Sequence, residues 1–264
     1  MSPQLITVGA DPELFLVNVE GKFISSIGII GGSKKHPRDI GEGCAVQEDN
    51  VAVEFNIPPA KSIEDFIAST NYALEYLTKY VAERNLFLSV TASKSFTNDQ
   101  LDTPQARRFG CDADFNAWTK KQNSVPRAED KNLRSCGGHA HLGFPNGINK
   151  IQVVRWFAVT AVLPSVLEDQ DTKRRELYGK AGAFRGKSYG VECRALSNYW
   201  IQTKELMEKI YKRGILAVTL ARAGHKLDEE EGKDIQHAIN SNEKALAGQL
   251  WEEYSRCYPE FEWI

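Results

Sequence analysis

Four short stretches of this chain repeat ionisable residues at the period of a β-strand. They are Asp11-Pro12-Glu13, Glu54 within 51–57, His139-Ala140-His141 and Glu192-Cys193-Arg194. A strand sends residues i and i+2 to one face, so each pair aims both functional groups the same way. Several carboxylates and imidazoles converging on one sheet face repel or lie unsatisfied unless a cation sits among them. The fold therefore has to bring these strands together around such an ion, and the pattern reads as a divalent-metal site with an arginine placed for an anionic ligand.

The rest of the composition sets bounds. With 264 residues, 42% hydrophobic and 26% charged, the chain is long enough for one large domain, or two small ones, with a proper core. A net charge of −2 gives no global attraction to duplex nucleic acid or an anionic membrane. No signal peptide is expected from the start Met1-Ser2-Pro3-Gln4, and no apolar run is expected to span a bilayer. The five cysteines, Cys44, Cys111, Cys136, Cys193 and Cys257, are scattered without a CxxC pair. They point to a reducing cytoplasm, and away from a disulfide framework or a thiolate zinc site.

Patterning predicts strands over 5–8, 14–19, 22–30, 51–57, 86–90, 138–144 and 189–196, the first two separated by a Gly9-Ala10-Asp11-Pro12 turn. Residues 28–43 read as a glycine-rich basic loop. A helix follows Ser62, the expected N-cap, with Ile63, Phe66, Ile67, Leu74, Leu77 and Val81 on one face. A second helix over 151–167 is expected to end at Pro164. Helices over 203–223, closed by Gly224, then 228–240 and 241–254, finish the chain. Residues 96–135 show no sustained period and read as a long loop of the kind that serves as a lid. The prediction is an α+β fold in one domain, 1–264, with a mainly antiparallel curved sheet, helices on one face, and a helical part from about 203.

Each motif has a bland reading beside its chemical one. His139-x-His141 is equally a packed pair, and Glu192-x-Arg194 an ion pair within the sheet. Gly137-Gly138 favours the ligand reading, because glycines let a ligand approach the backbone. Glu54 lies in an apolar strand, where an unpaired carboxylate is costly. Hard oxygen donors with one or two histidines suit Mg²⁺ or Mn²⁺ better than zinc. Mg²⁺ usually arrives with phosphates, which implies a nucleotide. Residues 172–194 carry Lys173, Arg174, Arg175, Lys180, Arg185, Lys187 and Arg194 against two glutamates, with glycines interspersed. Arginine forks and exposed backbone N–H groups bind phosphate; a solvated basic loop is the alternative. Neither GxxxxGK[ST] nor a Rossmann GxGxxG occurs.

Taken in order, the motifs resemble those of the glutamine synthetase and glutamate–cysteine ligase superfamily. More closely, they resemble the phage-type carboxylate–amine (COOH.NH2) ligases of type two. The matching stretches are 9–13, 49–56, 110–118, 137–143, 175–185 and 189–194. The resemblance implies a glutamine synthetase-like sheet around Mg²⁺ or Mn²⁺, with ATP phosphates across the ions. It implies Asp11, Glu13, Glu54, His139 and Glu192 as metal ligands, although Asp11 is shorter than the family's glutamate. Arg194, Arg185 and Asp49 become catalytic, while Arg174, Arg175, Lys180, Lys187 and His141 join Arg185 and Arg194 as nucleotide-binding groups. Asp112, Asp114 and Asn56 become substrate-binding. The implied reaction forms an amide through an acyl phosphate, from small-molecule or peptide carboxylate and amine substrates, in the cytoplasm (of a host, for a phage protein). Competing readings are a metal-dependent amide hydrolase, a guanidino or amino phosphotransferase, and a non-catalytic binding protein. Oligomeric state is left open.

Overall fold

The computed structural model describes residues 5–108, 114–124 and 128–263. The strands are β1 (Thr7–Asn18), β2 (Phe23–Ile24), β3 (Arg38–Gly41), β4 (Cys44–Asp49), β5 (Ala52–Asn56), β6 (Leu86–Ser89), β7 (Ser93–Ser95), β8 (Phe115–Asn116), β9 (Leu133–Ser135), β10 (Gly138–Gly143), β11 (Ala183–Lys187) and β12 (Gly190–Cys193). Ten form one sheet in the order β3-β4-β5-β1-β10-β12-β11-β8, with β2 and β6 also on β1; β7 and β9 form a separate ribbon. Every pairing is antiparallel.

β1 organises this sheet. The sequence predicts a break at Gly9–Pro12, yet the strand runs through it. Pro12 falls at a change of partner: its pairing with β10 ends at Pro12↔Gly138, and its pairing with β5 begins at Glu13↔Glu54. The missing proline N–H therefore interrupts no continuous ladder. Even-numbered residues of β1 (Val8, Ala10, Leu14, Leu16) join the main core. Odd-numbered residues (Gly9, Asp11, Glu13, Phe15) face the other way.

The helices are α1 (Ile63–Ala82), α2 (Pro104–Arg107), α3 (Lys150–Phe157), α4 (Leu163–Glu168), α5 (Lys173–Leu177), α6 (Lys204–Ala223), α7 (Glu231–Asn240) and α8 (Lys244–Cys257); α1, α3 and α6 supply most of the helical side chains buried in the main core. Ser62 caps α1 by accepting the Asp65 N–H at 3.1 Å, as its spacing predicts. Gly224, in the left-handed region, ends α6. Gly214 lets α6 approach the sheet, where a Cβ would meet Leu142 Cδ2 at 2.8 Å.

Pro164 does not end the second helix. A π-helical turn over Ala158–Val162 passes the chain into α4, and Pro164 occupies its first turn, where no N–H is required. The stretch Lys150–Glu168 is also long and apolar enough to cross a membrane, which the sequence reading excluded; 78% of it is buried inside the fold, as a core helix is.

Among the described residues, part of the predicted 96–135 loop is packed into the fold. Phe96, Leu101, Ala106 and Cys136 build a second small core with Phe15, Val51 and Ala52. This packing closes one end of the sheet's polar face. Only Phe23–Ile24 of the predicted 22–30 strand pairs, and β3 lies within the predicted 28–43 loop.

Candidate metal and phosphate site

The alternation of the strands sets the site on the odd face of β1. Asp11 is opposite His139, Glu13 opposite Glu54, His141 opposite Glu192, and Glu192 opposite Arg185. Two groups of ligand atoms result, each with its atoms within 4.8 Å of one another: Asp11, His139 and Glu192, and then Glu13, Asp49 and Glu54. Asp49 joins from the end of β4, just before the left-handed turn residue Asn50.

In the first group, His139 Nδ1 lies 3.2 Å and His141 Nε2 3.1 Å from Asp11 Oδ1. Burial and the Arg194 charge lower His139 to about 4, so it is neutral at pH 7. Arg194 Nη1 lies 3.3 Å from the same Nδ1. A guanidinium only donates, so in the tautomer that accepts from Arg194, Nδ1 presents its lone pair. Asp11 Oδ1 is buried and without a hydrogen-bond partner. Two acceptors facing each other in this way are what a cation would join, and the O, O, N donor set suits Mg²⁺ or Mn²⁺. Burial raises Asp11, but both histidines outweigh it and hold the carboxyl well below the usual range.

Glu192 is the meeting point of the cations. Lys187 Nζ lies 2.6 Å from Oε2, Arg185 Nη1 3.4 Å from Oε1, and Arg194 bonds Oε1 closely. Burial raises Glu192, but His139 and Arg194 bring it down to about 2. Arg194 Nε also lies 3.4 Å from Asp114 Oδ2.

The second group behaves oppositely. Burial, then Asp49, push Glu13 up to about 7, although the Gly137 N–H donates to Glu13 Oε2 at 2.6 Å. Burial, then Asp11, Glu13 and Asp49, raise Glu54 well above its ordinary range. Burial raises Asp49. Three carboxylates that suppress one another's ionisation fit a divalent ion.

The other expected residues divide. Asn56 shares the face of Glu54, and its buried Nδ2 lacks a partner. It lines an open cleft of about 360 Å³ with Gly9, Ile57, Pro59, His141 and Tyr189. Arg175 is not brought to the site; it donates to the Ser165 carbonyl at 2.9 Å and lies 3.5 Å from Asp169. Arg174 lines the site but donates to the carbonyls of Cys136, Ala195 and Arg194. Lys180 is half-buried and forms no ion pair with either acid group among the described residues. Asp112 lies outside the described residues.

Three contributors were missed. Gln47 donates to Glu54 Oε1 at 2.9 Å, and its spacing two before Asp49 placed it on the same strand face. Tyr189 bonds His141 Nδ1 from the β11–β12 turn. Arg134 lines the site from β9. Nor do the paired glycines serve ligand approach alone. A Cβ on Gly138 would sit 2.2 Å from the Ser197 carbonyl oxygen and 2.5 Å from Trp200 Nε1. Gly138→Ala is accordingly expected to lower stability by about 2 kcal/mol or more, measurable by urea denaturation.

Residues 127–256 match the family model described as phage phiEco32-like COOH.NH2 ligase-type 2. No curated protein matches the chain. Among solved structures, "Apo GmaS without ligand" aligns with 96% of this chain and 70% of its own at 12% identity and a TM-score of 0.41. A GmaS/ADP complex aligns with 98% and 66% at 11% identity and 0.48. A bifunctional glutathione synthetase from Pasteurella multocida aligns with 96% and 49% at 11% identity and 0.45. The chain thus spans between about half and 70% of the length of these structures. His139, Glu192 and Arg194 fall inside the family match, whereas Asp11, Glu13, Asp49 and Glu54 precede it, so the folded site unites both parts of the chain. The resemblance read from the motifs is borne out: over residues 127–256 this chain matches the phage phiEco32-like COOH.NH2 ligases of type 2.

Proposed function

We propose that the protein is an ATP- and Mg²⁺-dependent carboxylate–amine ligase that forms an amide or peptide bond through an acyl phosphate. The observation that carries this is the pair of ligand groups side by side on one sheet face, with Arg185, Lys187 and Arg194 gathered at one of them. Asp11, His139 and Glu192 would hold one ion, and Glu13, Asp49 and Glu54 another. Bound Mg²⁺ would neutralise phosphate charge. The open cleft beyond His141 has the size and apolar walls for a nucleoside, and Asn56 Nδ2 is a donor without a partner there.

A substrate carboxylate oxygen attacks the γ-phosphorus, and the bond to ADP breaks. Arg194 and Arg185 steady the transferred charge. The amine nitrogen then attacks the acyl carbon, phosphate leaves, and a nearby carboxylate takes the ammonium proton. The second small core at the closed end of the face helps exclude water that would hydrolyse the acyl phosphate. We take residues 1–264 as one catalytic domain. Small molecules or short peptides in an ATP-rich cytoplasm, that of a host for a phage protein, are its substrates.

The test is phosphorus NMR of the protein with Mg²⁺, ATP and pooled acids and amines. ADP and phosphate should appear only when acid and amine are both present, with an amide in the mass spectrum. Amide cleavage without ATP would replace this reading with the hydrolase one. A phosphoramidate product would replace it with the phosphotransferase one.

A further inference from the structure

The polar face of the sheet changes character beyond Asp11. Gly9 is opposite His141, and Gly143 is opposite Thr7. The two glycines leave a shelf of bare backbone on the odd face, and this shelf is part of the open cleft of about 360 Å³. Ile57 and Pro59 wall the cleft from the β5 side, and His141 and Tyr189 from the β10 and β12 side.

The second wall is shared with the first ligand group. Tyr189 lies in the turn between β11 and β12, where its carbonyl accepts the Phe144 N–H at 3.0 Å. Its backbone is thereby held, while the residue is 45% exposed. The Tyr189 hydroxyl bonds His141 Nδ1. Across the same imidazole, His141 Nε2 lies 3.1 Å from Asp11 Oδ1. Both of those atoms are buried, and among the described residues neither has a hydrogen-bond partner. They are close enough to bond but not aligned to do so. The angle of the His141 ring therefore decides whether Nε2–H reaches Asp11, and the Tyr189 hydroxyl holds that angle. A phenol proton given to Nδ1 leaves the imidazole proton on Nε2, the tautomer that a carboxylate partner needs.

Asp11 Oδ1 also faces His139 Nδ1 where the first ion would sit. Groups that orient a ligating carboxylate are worth about 10–100-fold in metal affinity. A planar ligand on the glycine shelf would cover the Tyr189 ring and take water away from the Tyr189–His141 bond. Removing water strengthens that bond, and holding the ring lowers the entropy cost of the next binding step.

We infer that Tyr189 and His141 are positioning residues that link the cleft to the first ion. A nucleoside in the cleft tightens the ion at Asp11, His139 and Glu192, and that ion tightens the nucleoside. The link runs through the protein and needs no phosphate. It deepens the ligase reading and rests on it.

Adenosine is the probe, because it fits the cleft and has no phosphate to touch an ion. Mn²⁺ replaces Mg²⁺, and its electron spin echo is recorded on the whole chain. Imidazole-nitrogen modulation of the echo reports the first ion alone, since the ligands of the second group are all carboxylates. Followed by that signal, Mn²⁺ should bind at least about fivefold more tightly in saturating adenosine, and calorimetry should show the same gain for adenosine in Mn²⁺. Tyr189→Phe keeps the ring and removes the hydroxyl. It should weaken Mn²⁺ alone by about tenfold or more and abolish the mutual gain. A hydroxyl with a merely structural role would leave that gain unchanged. Adenosine that does not bind, adenosine that binds without altering Mn²⁺ affinity, or a full mutual gain in Tyr189→Phe overturns the inference. With nitrogen-modulated Mn²⁺ still present, each of these results leaves the ligase reading standing. Bound Mn²⁺ that shows no imidazole nitrogen overturns both, because the first ion would then not be where the ligase reading puts it.

Discussion

Replacing Glu192 with glutamine is expected to abolish ATP turnover and also to destabilise the protein. The side chain is buried, and Lys187, Arg185 and Arg194 all approach it. Glutamine keeps the shape and removes the charge. Turnover should fall by about 10²–10³-fold or more, the loss typical of one preorganised charge in a phosphoryl-transfer site. Stability falls because the surroundings favour the ionised form: Glu192 lies at about 2 against an ordinary 4.5. The difference corresponds to about 3 kcal/mol. This contribution is fully present above the unfolded value near 4.5, and it is lost as pH falls through the folded value near 2. Urea denaturation of wild type and Glu192→Gln at pH 7 should show the gap, and it should close on acidification. Glu54→Gln makes the contrast. Its ionised form is disfavoured by burial and by Asp11, Glu13 and Asp49. The same substitution there should leave metal-free stability unchanged or raised, while turnover is still lost. Equal destabilisation by both substitutions would mean that the two acid groups are not electrostatically distinct.

The face of the sheet that carries these acids was legible in the sequence because a strand has a period of two, and an acid or histidine at every second position needs little context to interpret. Helix α1 was legible through Ser62, and the end of α6 through Gly224. What the sequence hid depended on partners far along the chain. Whether Pro12 breaks β1 depends on where β10 and β5 meet it, which no local window contains. The packed part of 93–136 hides because Phe96, Leu101 and Ala106 are irregularly spaced, and are apolar together only against Phe15 and Ala52. The basic segment misled in one respect. Charge alone does not reveal that Arg174 and Arg175 are turned into backbone carbonyls, Ser165 and Asp169, while Arg185, Lys187 and Arg194 reach Glu192. Asp49 was expected among the catalytic residues, yet it stands with Glu13 and Glu54 in the second acid group, from the edge of a turn.

Magnesium binding should release protons, and should reverse the pH dependence of stability. Burial and Asp49 push Glu13 up to about 7, against 4.5 in the unfolded chain. Between these values the folded protein holds a proton that the unfolded chain has lost. Metal-free stability therefore falls as pH rises from about 4.5 to about 7, by on the order of 3 kcal/mol for this group alone. Glu54 and Asp49 are shifted in the same direction. A divalent ion among the three carboxylates favours their ionised forms, so its binding must expel the protons they share. Calorimetric Mg²⁺ titrations near pH 6.5 in buffers of different ionisation enthalpy should show about one or more protons released. Affinity should tighten as pH rises toward 8, and melting temperature with Mg²⁺ should increase over the range where the metal-free protein loses stability. Titrations with no proton release, together with a metal-free stability that rises through pH 7, would show that the three carboxylates are already ionised and held by other groups. In that case they would not be the vacant ligands that the second ion requires.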